Sequence, residues 1–401
     1  MTAPASLPGD RFLHEQDFSL VLGGPLFQLF RRSHLTGDAL ELAQKRIIAV
    51  SLFCWLPLLA LSTLEGKLRG GIAVPFLFDV EAHVRFLIVT PLLIAAEIVV
   101  HRRMRFVVQQ FLERDLIPER DMALFDAAIK SVDRLRNSVL AEILLFAFVY
   151  VVGVVVVWRH YLALETPTWY ATPSAEGLKL SLAGIWFGYL SLPVFQFLLC
   201  RWYFRIFIWA RFLWKVSRAR LSLVPTHPDR VGGLGFLSII VDAFIPLLLA
   251  HGALLAGSLG NRIYHLGAKL PDFLLEIVLL VVLLMCMVLG PLLVFAPQLA
   301  QAKRVGLREY GRLAERYVRE FDAKWLRGGA PADEPLLGSS DIQSLADVSN
   351  SFDVVRTMNL APFTKETVIQ LAVAAVLPLA PLLLTIMPLE ELLKRLFGAL
   401  F

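Results

Sequence analysis

Residues 277–297 read IVLLVVLLMCMVLGPLLVFAP, a stretch without a single charge. A helix needs roughly 17–25 apolar residues to cross a bilayer, so this stretch reads as a membrane span and not as a soluble core helix. Six other stretches share its character. Ile47–Leu64, Leu180–Cys200 and Thr367–Leu389 are uncharged. Val84–Val100 holds only Arg85 and Glu97, Ser138–Trp158 only Glu142, and Leu234–Ser258 only Asp242 and His251. Composition agrees with this pattern. The 401 residues are 57% hydrophobic and their mean hydropathy is +0.65, whereas a soluble protein is about 45–50% apolar. The expected fold is all-α: a polytopic membrane bundle of about seven transmembrane helices with a cytoplasmic helical layer. Pro378 and Pro381 fall at the centre of the last span, which is therefore expected to be kinked or re-entrant.

Basic residues set the orientation. Lys and Arg collect in short loops on the cytoplasmic side. Segments 101–137, 201–233 and 298–366 are rich in them, while the alternate loops carry only pairs such as Lys67 and Arg69 or Arg262 and Lys269. This predicts a cytoplasmic N-terminus and, with seven full spans, an external C-terminus. No basic segment precedes the mildly apolar run Phe18–Phe30, so no signal peptide is expected. PLFQLFRRSHL at 25–35 reads as a short interfacial helix.

The expected organisation has four parts. Residues 1–46 form a cytoplasmic N-terminal segment, and 47–297 a six-helix transmembrane region with cytoplasmic helical loops. Residues 298–366 form a cytoplasmic helical segment divided by RGGAPADEPLLGSS, with Asp341 read as a helix cap. Residues 367–401 supply the last membrane helix and an amphipathic tail. In that tail Leu389, Leu392, Leu393, Leu396, Phe397 and Leu400 follow helical spacing. The returning spans each run into a basic amphipathic helix, the second of these reading RWYFRIFIWARFLWK, an aromatic and basic interface belt. Cys54, Cys200 and Cys286 lie within spans and show no pairing or metal-ligand spacing. Neither a cofactor nor a metal is expected.

Several residues are candidates for function. The loop VPTHPDRVGGLGFL at 224–237 offers Gly232, Gly233 and Gly235, whose backbones approach a ligand easily. With His227 and Arg230 its amides would suit a phosphate or carboxylate. The bland reading is an elbow in which Asp229 caps a turn. Asp242 lies about 12 Å into its span at 1.5 Å per residue, where a carboxylate must face a cavity, pair with a cation or be protonated. His251 falls on the opposite helix face, so the two share no relay unless Pro246 unwinds the segment. Glu97 and Glu142 sit near cytoplasmic ends of spans, where snorkelling is cheap, and each could still meet an arginine of the inner layer. Arg304, Arg308, Arg312 and Arg316 form a stripe on one helix face, opposite Leu307, Tyr310, Ala314, Tyr317, Phe321 and Trp325. The stripe fits lipid phosphates or an anion-attracting vestibule. No catalytic motif is present.

Two stretches, HPDRVGGLGFL at 227–237 and FTKETVIQLAVAAVLPLAPLLLTIMPLEELLKRL at 363–396, resemble an uncharacterised family of bacterial polytopic inner-membrane proteins. The resemblance covers under half the chain. It implies a bacterial cytoplasmic membrane and brings no activity, substrate or site.

These readings place first the passage of a small ion or solute, with an anion as the leading class. Asp242 and the Pro246 region would line the path, and His227, Asp229 and Arg230 would shape its inner mouth. The alternative is a membrane scaffold or sensor docking a cytoplasmic protein, and the third is an enzyme acting on lipid. Expected partners are the bilayer, its anionic headgroups, a second copy of the chain and a cytoplasmic protein. Nucleic acid is not expected.

Overall fold

In a computed structural model of the chain, the described residues are Leu20, 43–158, 167–174 and 177–385. The expected interfacial helix at 25–35 and the amphipathic tail lie outside them. The described chain is an all-α bundle. It begins with α1 (Ala43–Leu64) and α2 (Val80–Glu113). Next come α3 (Glu119–Arg136) and α4 (Val139–Gly153), bent by 50° at a short break. A small antiparallel hairpin follows, β1 (Ala171–Ser174) with β2 (Gly177–Leu180). The rest is helical: α5 (Leu182–Val216), α6 (Leu234–Leu266), α7 (Leu270–Leu326), α8 (Ser340–Arg356) and α9 (Lys365–Thr385). Six of these helices are long and apolar enough to cross a bilayer, and the bent α3–α4 pair makes a seventh. The helices thus fit a multi-pass membrane protein.

Prolines decide where the spans break. A proline lacks the N–H that the helical ladder needs, so the preceding turn must change register. Pro91 follows the π turn Arg85–Val89, and Pro193 follows the π turn Phe187–Ser191. Pro246 opens the second part of α6 just after a break at Phe244. Pro291 lies in a 3-10 turn over Gly290–Phe295. The last span is α-helical to Val376 and then 3-10 through Pro378 and Pro381. It still satisfies the length and hydropathy of a crossing.

The returning spans do run on into basic helices, and without interruption. α2 continues to Glu113, α5 to Val216, and α7 reaches 57 residues, about 85 Å at 1.5 Å per residue against a hydrocarbon layer of about 30 Å. The outer part of α7 carries α8 as an antiparallel partner. Ser339, and not Asp341, caps α8 by accepting from the Asp341 amide. The Asp341 carboxylate is engaged elsewhere, accepting from Lys324 Nζ at 2.8 Å and Trp325 Nε1 at 2.9 Å.

At the centre α2 packs on α1 and α6, and α6 packs on α9. Small residues set these distances, as is usual between membrane helices. A Cβ built on Gly252 would sit 2.1 Å from the Ala375 carbonyl oxygen, and one on Gly257 would meet the Glu81 backbone at 3.2 Å. The outward sides of α4 and α7 expose Leu140, Ile143, Leu144, Leu275, Leu279 and Leu283. A patch of that extent is costly in water and suits lipid.

Candidate functional site

Among the described residues, Glu97 is the least exposed charged side chain. α2 continues four turns beyond it, and its carboxylate meets arginines, one of the two outcomes the sequence allowed, instead of reaching water. It is 3% exposed. An ionised carboxylate at such a position needs cationic partners. Two flank it. Arg46, in the first turn of α1, forms a salt bridge with Oε2. Arg205 Nη1 of α5 donates to Oε1 at 2.7 Å. Arg201, one turn before Arg205 and hence on the same face, also lies within electrostatic reach of Glu97.

One carboxylate thus faces three guanidiniums. Like charges at i,i+4 repel, so Arg201 and Arg205 hold together only through Glu97 and what surrounds them. Trp202 supports the arrangement: its ring lies 4.9 Å from the Arg205 guanidinium carbon, and its Nε1 donates to the Leu93 carbonyl at 2.9 Å. Donors remain in excess. Arg205 Nη2 is buried without a hydrogen-bond partner among the described residues. Arg201 beside it is also buried, 8% exposed. A guanidinium presents a rigid fork of donors matched to planar oxyanions. The sequence reading treated Arg201 and Arg205 as part of an interface belt. The structure instead turns them inward, while Tyr203, Phe207, Arg211 and Trp214 of that stretch stay exposed. The available signal was an acid inside one span and an i,i+4 arginine pair directly after another.

The transport-path candidates lie apart from one another. Asp242 pairs with Arg103 Nη1 at 3.4 Å, and both side chains are over a third exposed. His251 is buried on the other side of α6, with Nε2 2.8 Å from the Tyr203 hydroxyl and Nδ1 2.7 Å from the Leu247 carbonyl oxygen. Pro246 starts the helix between them without uniting them. Each residue therefore has its own partner, and the Asp242–His251 relay is not formed.

The loop 224–237 folds onto its own carboxylate. Asp229 Oδ1 accepts from the amides of Val231 at 2.9 Å and Gly233 at 3.1 Å, and Oδ2 from Gly235 at 2.8 Å. The amides offered to an anion are thus already taken. His227 Nδ1 lies 2.8 Å from Asp229 Oδ1. Burial acts to raise the Asp229 carboxyl, but the amides of Val231, Gly235 and Gly233 and the His227 ring outweigh it and hold it below the usual carboxylate range. Arg230 adopts φ 57° and Gly232 φ 66°, left-handed positions that complete the turn. The Arg230 carbonyl accepts from Asn359 at 2.7 Å. Gly306 of α7 lies so close that an added Cβ would be 2.6 Å from Pro225. The loop is an elbow clamped by the α7–α8 arm.

On that arm Arg304, Arg308, Arg312 and Arg316 are all exposed. Arg304 reaches Gln301 and Arg316 pairs with Glu320 on the same helix. The opposite side, including Tyr310 and Tyr317, turns toward Thr226 and α8.

At the other end of α2, away from the basic helices, lies a cavity of about 290 Å³. Asp79, Glu81, Arg85, Asn261, Arg262 and His265 line it. Asp79 is structural, accepting from Trp169 Nε1 and Asn261 Nδ2, both at 2.7 Å. Between the cavity and Glu97, α2 presents buried Phe86, Val89, Leu93, Ile94 and Ala96 and one buried hydroxyl, Thr90, which donates to the Arg85 carbonyl, a mostly apolar section about three turns long. Comparison with family models, curated proteins and solved structures finds no match for the chain.

Proposed function

We propose that this is a multi-pass protein of a bacterial inner membrane that passes a small anion through its bundle, with the Glu97 cluster as the binding station. The observation that carries the reading is the buried Arg205, whose Nη2 donor is left over after Glu97 has been satisfied, with the buried Arg201 guanidinium beside it. Such donors favour an anion strongly in a poorly solvated site. The opposite-side cavity with Arg85 and Arg262 forms an outer vestibule, and the mostly apolar section between Phe86 and Ala96 keeps the pathway shut in this conformation. Positive residues on the α3, α5 and α7 ends support a cytoplasmic placement of that side and of the N-terminus.

The test is nitrate efflux from liposomes containing the purified protein. Wild type should exceed empty liposomes, and Arg205→Gln should lower efflux about tenfold or more, the loss of roughly 1.4 kcal/mol of anion stabilisation. Efflux equal to empty liposomes for nitrate, chloride and phosphate alike would discard passage. The exposed Arg304–Arg316 stripe then supports the second reading, a scaffold that docks an acidic cytoplasmic protein on the α7–α8 arm.

A further inference from the structure

α1 turns one face into the bundle, against α2 and the first part of α5. Ser51, Cys54, Leu58, Ser62 and Glu65 recur there at three and four residues, the spacing of a single helix face. Ser51, Cys54, Leu58 and Ser62 are all buried. The face is polar for one packed inside a bundle, and its polarity is not matched. Ser51 Oγ, Ser62 Oγ and Glu65 Oε2 are buried without a hydrogen-bond partner among the described residues. So is Nε1 of Trp186 on α5, whose ring meets Phe53 of α1 at 5.6 Å. Arg205 Nη2 shares this state at the Glu97 cluster. Gln196 Oε1 shares it too, but faces Gly153 of α4 and lies off this seam.

Two bonds fix how α1 and α5 lie against each other. Ser191 Oγ donates to the Cys54 carbonyl at 2.8 Å, and the Leu182 amide donates to Glu65 Oε1 at 2.9 Å. At 1.5 Å per residue from the Ser191–Cys54 bond, Ser51 lies about 5 Å toward the cluster; Trp186, Ser62 and Glu65 lie about 8, 12 and 17 Å the other way. Arg46, which holds Glu97, is about 8 Å beyond Ser51. The polar groups thus follow one another at steps of about 4–8 Å, which one or two water molecules span at about 2.8 Å per bond. Buried polar atoms are met by protein or by ordered water. Water needs little room and a few polar partners, and Ser51, Cys54 and Ser62 are small.

We propose that a row of water molecules occupies the inner face of α1, from Glu65 to the Arg205 donor left over at the cluster. Glu97 stays ionised and keeps its arginines, and the water supplies the acceptor for Arg205 Nη2. The row is independent of what the bundle passes. Its role as a route rests on the anion-passage reading: it links the cluster to the outer side and avoids the apolar section of α2. Glu65 is then the acid at the mouth, where it opposes an approaching anion.

Radiolytic hydroxyl-radical labelling of the full chain in nanodiscs reads bound water, because the radicals form from water and attack the side chains beside it. Leu58 lies in the row, and Leu93 is as deeply buried on the apolar section of α2. Leu58 should be oxidised several times faster than Leu93. Cys54 should be oxidised faster in wild type than in the Ser51→Ala/Ser62→Ala double variant. That variant should also melt below wild type, because held water loses its partners. Unmatched hydroxyls in a dry seam would instead be relieved by alanine and raise the melting temperature. Equal labelling of Leu58 and Leu93, or a raised melting temperature, overturns the row. The route has its own readout: Glu65→Gln should raise nitrate efflux from proteoliposomes. Efflux unchanged by Glu65→Gln removes the route. Absence of nitrate efflux from wild type overturns the anion-passage reading, and the labelling still decides the row.

Discussion

Glu97 Oε1 accepts from Arg205 Nη1 at 2.7 Å, joining α2 to α5 across 108 positions of sequence. Neither residue is more than 5% exposed in its side chain. Breaking such a pair strands a buried charge, so each single change costs more than the bond itself is worth. A double-mutant cycle with Glu97→Gln and Arg205→Gln in detergent should therefore show non-additivity of about 1–3 kcal/mol in thermal unfolding. Effects that simply sum would mean that the two side chains do not depend on each other.

Asp229 makes a second kind of prediction. Its carboxyl is held below the usual range because the amides of Val231, Gly235 and Gly233 and the His227 ring overcome the opposing effect of burial. A carboxyl depressed by folding stabilises the fold above its unfolded pKa, and that contribution is lost as the pH falls through the folded value. Wild type should thus lose melting temperature on acidification into and below the ordinary aspartate range. Asp229→Asn should start lower at neutral pH and show a smaller acid loss. Asp229→Ala leaves buried amides without an acceptor and should cost about 1–3 kcal/mol. Parallel acid melting curves for wild type and Asp229→Asn would contradict this account.

The spans and their basic continuations were legible because both are one-dimensional signals. Apolar length predicts crossing, and i,i+4 periodicity predicts the helix that follows. The elbow was legible in outline, since proline, aspartate and glycine fix turns locally. The site was not. Glu97 and Asp242 look alike as isolated acids within apolar runs, and Asp242 seemed the deeper of the two. Depth depends on where a helix really ends, and α2 outlasts its apolar stretch by more than a dozen residues. Pairing depends on which helices become neighbours. Only packing of α1 and α5 against α2 reveals that Arg46 and Arg205 belong to Glu97 and that Asp242 belongs to Arg103.

Helix spacing can be tested at Gly252. Its added Cβ would lie 2.1 Å from the Ala375 carbonyl oxygen and 3.2 Å from Pro378 Cδ. Neither is a flexible side-chain end, so α6 and α9 must separate. Gly252→Ala should lower stability by about 1–3 kcal/mol, the usual range for overpacking. Gly290→Ala is the matched control, because nothing lies within 4 Å of its added Cβ. Equal melting temperatures for the two variants would show that α6 and α9 are not held this closely.

Asp242 and Glu97 offer the sharpest contrast. Asp242 meets Arg103 at 3.4 Å with side chains 36% and 41% exposed. Such a pair is screened and contributes about 0–1 kcal/mol. Asp242→Asn should shift the melting temperature little and leave nitrate efflux close to wild type at each pH. Glu97→Gln, the same carboxylate-to-amide change at a buried position under two turns of α2 from Arg103, should alter both. The physical difference is water: Asp242 can exchange its partner for solvent, and Glu97 cannot. Efflux abolished by Asp242→Asn but unaffected by Glu97→Gln would move the path from α2 and α5 to the α2–α6 seam.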